Sequence, residues 1–408
     1  NVSLLSGLTL KDIFMRQSKI GIVVAATLCI SSTAYANPSF DTRSMAMGGI
    51  GASTSDYLTA PFHNPALVAK FHESDDFGLL LPTVGFGVQG SKDFLNNLED
   101  ASDALSDFTD NGQVDSDKIT SSLSALKNGS ATVNVGVGIA VAIPNDVVSV
   151  NLYSQAYLNA VLRTDIDDDD LIASNYNDSS YEPQSQVNAL GVLVTEVGVA
   201  LARAQKFNSG TLYYGVTPKV QKLEGVNYTA NMSDYDGSDA LDDTSDKTVF
   251  NMDIGAAYSF DNGFTLGLVG KNILSQDIKL KESKGLSGTY KLNGVYTASA
   301  SYANSWLTVG LDADINKTKN FDSLTGFNNV GISKDDDDIQ FMGVGAEFNA
   351  WDWAQLRVGY KVDVQNNLDD EITAGIGLVP FKVFHLDLSG SYAGDSQYGA
   401  SIQTYFTF

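Results

Sequence analysis

Along most of the chain apolar residues take every second position and polar or small residues the positions between, the period of an extended strand with two chemically different faces. Over 131–143, Val133, Val135, Val137, Ile139, Val141 and Ile143 share one face, and Thr132, Asn134, Gly136 and Gly138 the other. Over 148–158, Val148, Val150, Leu152, Ala156 and Leu158 oppose Ser149, Asn151, Tyr153 and Gln155. Over 250–258, Phe250, Met252, Ile254 and Tyr258 oppose Asn251 and Asp253; over 356–364, Leu356, Val358, Tyr360, Val362 and Val364 oppose Arg357, Lys361 and Asp363. Similar patterns occupy roughly 77–89, 211–222, 264–272, 288–301, 306–317, 338–348, 371–379 and 383–392.

The charged residues fall almost everywhere on the second face. A charge such as Arg357 facing lipid would cost about 2–4 kcal/mol near mid-membrane, and far less in a wet lumen. The pattern therefore predicts an all-β fold, a transmembrane antiparallel barrel, with its apolar face to lipid. A soluble β-sandwich also alternates, but rarely with so many long strands.

Connector lengths set the topology. Short connectors lie at 144–146, 207–210, 261–263, 302–305, 350–353 and 380–382. The connectors between them are mostly longer, at about 90–129, 165–186, 231–247, 274–287 and 319–337, with shorter ones near 365–370 and 394–396. Long and short connections in alternation mark extracellular loops and periplasmic turns. The count is about fourteen strands, an even number, which places both termini on the periplasmic side.

One strand breaks phase. Leu190, Val192 and Val194 lie in one register, Val197, Val199 and Leu201 in the other. A bulge near Thr195 and Glu196 would reconcile them. It reads either as a local twist adjustment or as a lateral opening through which an apolar ligand leaves into the bilayer. Period 2 gives way to helical spacing in the first long loop, about 91–128. There Phe94, Leu98, Ala101, Leu105 and Phe108 recur on one face, and Ile119, Leu123 and Leu126 suggest a second short helix.

The ends of the chain carry expectations of their own. Met15-Arg16-Gln17-Ser18-Lys19, an eleven-residue apolar run over 20–30 and Ala34-Tyr35-Ala36 have the layout of a cleaved signal peptide. The run is too short to span about 30 Å of hydrocarbon, which takes roughly 20 residues. Residues 1–36 are read as upstream extension plus leader, 37–76 as a segment before the barrel, and 77–408 as the barrel. At the other end Tyr398, Ala400, Ile402, Thr404, Phe406 and Phe408 share a face. A terminal strand ending on Phe406 and Phe408 resembles the signal read by the bacterial barrel-assembly machinery.

Composition narrows the function classes. The chain carries 25 Lys+Arg against 49 Asp+Glu, a net charge of −24, and loss of the leader makes it more negative. That excludes the basic footprint nucleic acid needs. The single cysteine, Cys29, lies in the leader, so the mature chain has no disulfide, thiol nucleophile or thiolate metal site. Acidic runs such as 167–170, 234–243 and 335–338 lie in the loops. They read as solvated surface, with divalent ions able to bridge them to lipopolysaccharide; the D-x-D-G-x-D spacing departs from a calcium loop.

Between leader and barrel stands Arg43-Ser44-Met45-Ala46-Met47-Gly48-Gly49, then Asp56 and His63-Asn64-Pro65-Ala66-Leu67. An R-S-x-x-M-G-G segment followed by D…NPAL resembles the N-terminal region of FadL-type outer-membrane transporters. The wording around it is closer still to the conjugal transfer TraF-like family, named after the F-plasmid transfer operon. The resemblance spans nearly the whole mature chain, with its sharp motifs in 42–67. It implies that 37–76 is a hatch plugging the barrel from the periplasm, with Asn64, Pro65 and Ala66 forming the hatch turn and Gly48 and Gly49 a tight bend. Against the FadL pattern, the loops are more acidic and no cationic pair for a fatty-acid carboxylate is legible.

Catalytic chemistry is not legible either. The histidines are His63, His72 and His385; none has a motif-grade Ser or Asp partner, and no phosphate loop or metal-ligand spacing occurs. The sequence thus predicts a non-enzyme, with no catalytic, cofactor-binding or metal residues. Its expected partners are outer-membrane lipid and lipopolysaccharide, the barrel-assembly machinery and a hydrophobic small-molecule ligand. The leading function is passive carriage of apolar small molecules across the outer membrane. The alternative is a structural or interaction protein of the envelope associated with plasmid conjugation.

Overall fold

The structure, a computed structural model, describes residues 41–91, 93–112, 115–235, 237, 239–241, 244–326, 338–351, 353–394 and 397–408. The leader read over 1–36, and parts of the acidic runs, lie outside the described residues.

Fourteen strands form the wall: β1 (Gly78–Gly90), β2 (Ser130–Ile143), β3 (Ser149–Asp165), β4 (Gln186–Phe207), β5 (Gly210–Asn231), β6 (Ser245–Phe260), β7 (Phe264–Lys271), β8 (Val295–Ala303), β9 (Leu307–Asp314), β10 (Phe341–Trp351), β11 (Ala354–Asp363), β12 (Glu371–Leu378), β13 (Phe384–Gly394) and β14 (Gln397–Thr407). Each pairs antiparallel with its neighbours in sequence, and β1 pairs with β14, closing the barrel. Closure leaves no edge strand, so every wall backbone group can find a partner away from water. Phe408 sits on this seam, its N–H donating to the Phe77 carbonyl at 2.9 Å.

The two faces separate as their alternation predicts. Val135, Val137 and Ile139 on β2 and Leu356, Val358 and Tyr360 on β11 are exposed outward, whereas Asn134, Arg357, Lys361 and Asp363 are buried inward. Two aromatic belts flank the apolar band. Phe264, Trp306, Trp351, Trp353, Phe381 and Phe408 stand exposed at the end bearing the short turns. Tyr296, Tyr360, Tyr392 and Tyr398 stand exposed towards the loops. From Tyr398 to Phe408 the chain runs about 34 Å along the strand, or about 26 Å upright at ordinary strand tilt, close to the band expected of a membrane barrel.

The wall is uneven in height. β4 and β5 have 22 residues each, β7, β9 and β12 only eight. The tall side rises past the apolar band: on β5 the outward residues change from Val220 to Lys222 and Glu224, which pair with each other at 2.6 Å.

Two expectations are corrected here. The strand read over 288–301 is two elements: Ser287–Leu292 belongs to a separate three-stranded sheet with Gln276–Lys279 and Phe321–Thr325, and only β8 joins the wall. The bulge expected at Thr195 and Glu196 does not form. β3 and β4 pair in unbroken register through Ala156↔Thr195, Gln155↔Glu196 and Ser154↔Val197. The phase break has another cause. Leu190, Val192 and Val194 point into the barrel, where all are fully buried, and only below them does the lumen-facing series turn polar at Glu196. A wall irregularity well inside a strand lies instead in β1, where one extra residue enters between Leu80 and Thr83 relative to both neighbours. Pro82, which has no N–H to give a ladder, sits within it.

The loop helices expected from spacing form as α2 (Phe94–Asn111) and α3 (Ser116–Leu126), after a short α1 (Thr42–Ala46) in the N-terminal segment. Asp115 caps α3 by accepting the Lys118 N–H at 2.9 Å, and Gly112 ends α2 in the left-handed conformation. Their apolar faces pack together and onto Tyr176, Val187 and Met232 of the neighbouring loops and strand ends.

Candidate functional site in the lumen

The lumen is filled from both ends. From the turn end comes the segment beginning at Asp41. Asp41 caps α1 through the Arg43 N–H, and the chain reverses at Gly48 and Gly49, whose φ angles of +71° and +80° favour glycine. Gly48 donates its N–H to Thr373 Oγ1 on β12 at 2.9 Å. Asn64 opens the next turn. Its Oδ1 accepts the Ala66 N–H at 3.1 Å, its Nδ2 donates to the Ala52 carbonyl at 2.8 Å, and Pro65 starts the 3₁₀ helix Pro65–Ala69. The five motif residues are all inside the barrel but not all together. Gly48 and Gly49 lie on the β10–β12 side, whereas Asn64, Pro65 and Ala66 lie against β5 and β6.

In places the segment rests directly on wall backbone. A Cβ on Gly359 of β11 would stand 2.1 Å from the Gly48 nitrogen, and one on Gly255 of β6 would stand 1.9 Å from Asn64 Oδ1. At Gly359 the atoms met are backbone and no side chain fits while the segment is seated; at Gly255 a side chain would have to push the Asn64 amide out of its cap.

A buried ion network ties the segment to the wall. Arg43 makes two bonds to Glu347 of β10, Nε to Oε2 at 2.8 Å and Nη2 to Oε1 at 2.9 Å. Arg357 of β11 shares Glu347 at 2.7 Å and reaches Asp387 of β13 at 2.7 Å. Asp312 of β9 accepts the N–H groups of Gly51 and Ala52, each at 2.8 Å. Within the segment, burial disfavours a charge on Asp41, but its bond to His63 at 3.0 Å and the nearby arginines outweigh this and hold its carboxyl below the ordinary range. Burial, with Arg43's charge adding, pushes the Lys70 amine down to about 8. Of these residues, sequence reading singled out Arg43 and His63 in the segment and Arg357 as an inward charge on the wall. Glu347, Asp312 and Asp387 were visible only as acidic residues on the lumen phase of their strands.

Above the segment lies a polar layer centred on Glu196. It accepts from Tyr153 at 3.0 Å, Gln155 at 2.8 Å and Gln221 at 2.6 Å, and pairs with Lys219 at 3.3 Å; Lys219 also meets Asp253 at 2.9 Å. Next comes an apolar column. Leu190, Val192, Val194 and Leu223 of the wall pack against Ile278, Tyr290, Leu292 and Phe321 of the loop sheet, which folds into the lumen from the loop end. Met45 of the N-terminal segment belongs to the same buried cluster. Among the described residues, two cavities bear on the lumen. One of about 270 Å³ lies at the loop end over Val161, Leu190 and Phe321. A smaller one, about 110 Å³, lies beside the segment among Phe62, His63, Lys271, Asp312, Phe341 and Lys361.

The loops are less uniformly solvated than their charge suggests. Asp170, from the 167–170 run, is fully buried between β3 and β4. It accepts from Tyr181 Oη at 2.5 Å, the Ser185 hydroxyl at 2.5 Å and the N–H groups of Gln184 and Ser185 at 3.0 and 2.6 Å. Leaving a buried donor unpaired costs about 1–3 kcal/mol. Asp170→Ala is therefore expected to raise proteolytic cleavage within 166–185 at least tenfold while the barrel stays intact; unchanged cleavage would count against this lock. Among the described residues no group of three His, Cys, Asp or Glu is placed to hold a metal ion. His385 stacks on Tyr405, ring centroids 4.2 Å apart, and bonds Thr407 at 2.9 Å.

Solved structures share this architecture. The toluene transporter TbuX of Ralstonia pickettii matches with a TM-score of 0.52 at 15% identity, over 90% of this chain and 98% of its own. The toluene transporter TodX of Pseudomonas putida matches at 0.50 and 13%, over 90% and 98%. A FadL homologue of Pseudomonas aeruginosa matches at 0.50 and 12%, over 93% and 97%. At these identities the likeness establishes the fold. A comparison with curated protein sequences finds no match. The family profile described as F plasmid transfer operon, TraF, protein matches residues 61–314, which takes in the Asn64-Pro65-Ala66 turn and β1 to β9, and the chain belongs to that family.

Proposed function

We propose that the protein is an outer-membrane conduit for passive uptake of hydrophobic small molecules, held closed by residues 41–76 acting as a hatch. The observation that carries this reading is the apolar column of Leu190, Val192, Val194 and Leu223 inside the barrel. A water-filled pore has a polar interior; an apolar lining gives a nonpolar solute somewhere to go. The toluene transporters TbuX and TodX lend the reading support through their shared fold. In it, Gly48, Gly49, Asn64, Pro65 and Ala66 shape the hatch, the aromatic belts meet outer-membrane lipid and lipopolysaccharide, and Phe406 and Phe408 present the strand that the assembly machinery reads. No step of bond chemistry is assigned to it.

The test is uptake of a fluorescent naphthylamine probe by cells whose outer membrane limits its entry. Expression of the chain is expected to speed uptake several-fold, and Asn64→Ala, which frees the hatch turn, to speed it further. Uptake indifferent to both would overturn the conduit. It would favour the second reading, an envelope interaction protein tied to conjugation, for which the family description and the acidic loops speak.

A further inference from the structure

The cavity at the loop end differs from the column beneath it. Its walls come from the upper ends of β1 to β4, from β14 and from the loops, and they are rich in amides: Gln89, Asn159, Asn320, Asn367 and Gln397, with Thr132 beside them. Amides donate and accept without carrying charge. The charges present, Arg163 and Asp369, are of opposite sign. Such a wall suits a neutral group with several hydroxyls or amides better than a hydrocarbon or a bare carboxylate.

One side chain of this wall and one just beneath it have unmet hydrogen-bonding capacity. Gln89 is only 4% exposed, yet its Oε1 has no partner among the described residues. Asn134, one rung below Thr132 on the same inner face of β2, is fully buried with neither Oδ1 nor Nδ2 bonded. Buried polar atoms are ordinarily satisfied, and an orphan asks for a partner. A cavity of 270 Å³ has room for about nine waters' share of liquid volume, enough for one ring of hexose size. Its floor, Val161, Leu190 and Phe321, is the top of the apolar column.

We propose that this vestibule binds the neutral, hydroxyl- or amide-bearing head of an amphipathic molecule whose apolar tail points down the column. The inference rests on the conduit reading and names its substrate class: neutral amphipaths rather than plain hydrocarbons or fatty acids. Gln89 supplies an acceptor to the head group, and Phe321, on the loop-sheet side of the column, meets the start of the tail.

The experiment uses the full chain in lipid nanodiscs, with empty discs as blank, and measures binding of octyl glucoside below its micellar concentration beside octanoate and octane. Octyl glucoside is expected to bind at least tenfold more tightly than either. Gln89→Leu, and independently the isosteric Thr132→Val, should weaken it severalfold to tenfold while leaving octane unchanged. Octane bound as well as octyl glucoside, or octyl glucoside insensitive to both variants, overturns the head-group site, leaving the conduit standing and the orphan atoms to water. Failure of all three probes to bind overturns the site and the conduit together.

Discussion

Arg43→Ala is expected to unseat the N-terminal segment and raise the open probability of the full chain in planar bilayers about a hundredfold or more. Arg43 is the segment's cation on Glu347, through two bonds in a largely buried setting, the side chains 14% and 9% exposed. Breaking a buried pair by removing one partner costs about 3–5 kcal/mol, and every 1.4 kcal/mol is roughly tenfold in an equilibrium. The wall keeps Arg357 between Glu347 and Asp387, so the barrel itself should survive. Glu347→Ala is expected to do more harm, because it leaves Arg43 and Arg357 facing each other across a vacated site. Restoration of near-normal closure in Arg43→Lys would show that charge suffices; its absence would show that the two-pronged geometry matters. Conductance unchanged in Arg43→Ala would mean that the Asp312, Thr373 and Asn64 contacts seat the segment alone.

Gly359→Val is expected to evict the bend at Met47 and Gly48 by shape instead of charge. The added Cβ would lie 2.1 Å from the Gly48 nitrogen and 2.2 Å from the Met47 carbonyl carbon, both backbone atoms that cannot swing aside. Valine suits a strand well, so β11 should still pair with β10 and β12. The expected readout is a segment newly open to protease near Met47, at least tenfold faster than in the parent, in a barrel whose heat-resistant mobility on gels is unchanged. Gly255→Ala should do the same near Asn64. Cleavage at the parental rate in both variants would show that the segment can sit in the lumen without those contacts.

The candidate site was legible in part. The Gly48-Gly49 bend and the Asn64-Pro65-Ala66 turn were expected from the family resemblance; positive φ and an Asn-Pro start are the local demands they meet in the structure. What the motifs face could not be read: Glu347 lies 304 residues from Arg43 and Thr373 lies 325 from Gly48. The apolar run Leu190, Val192, Val194 was visible, but its meaning was inverted. Alternation assigns two faces to a strand without saying which is lipid, and an inward apolar stretch looks like a slipped register. Only the loop sheet resting against it, Ile278, Tyr290, Leu292 and Phe321, explains the pattern.

The sequence by itself determined the barrel: its antiparallel order, its strand count, its lipid-facing side over most of the wall and the helical pair in the first long loop. These follow from period, connector length and the high cost of polar groups in lipid, all of which act along the chain. The tertiary structure alone decided what fills the lumen. The ion network, the Glu196 layer, the apolar column, the inward loop sheet and the amide-lined vestibule each join residues from distant strands. A wet or plugged interior imposes no single polarity on the inward face, so packing, not periodicity, chose the partners there.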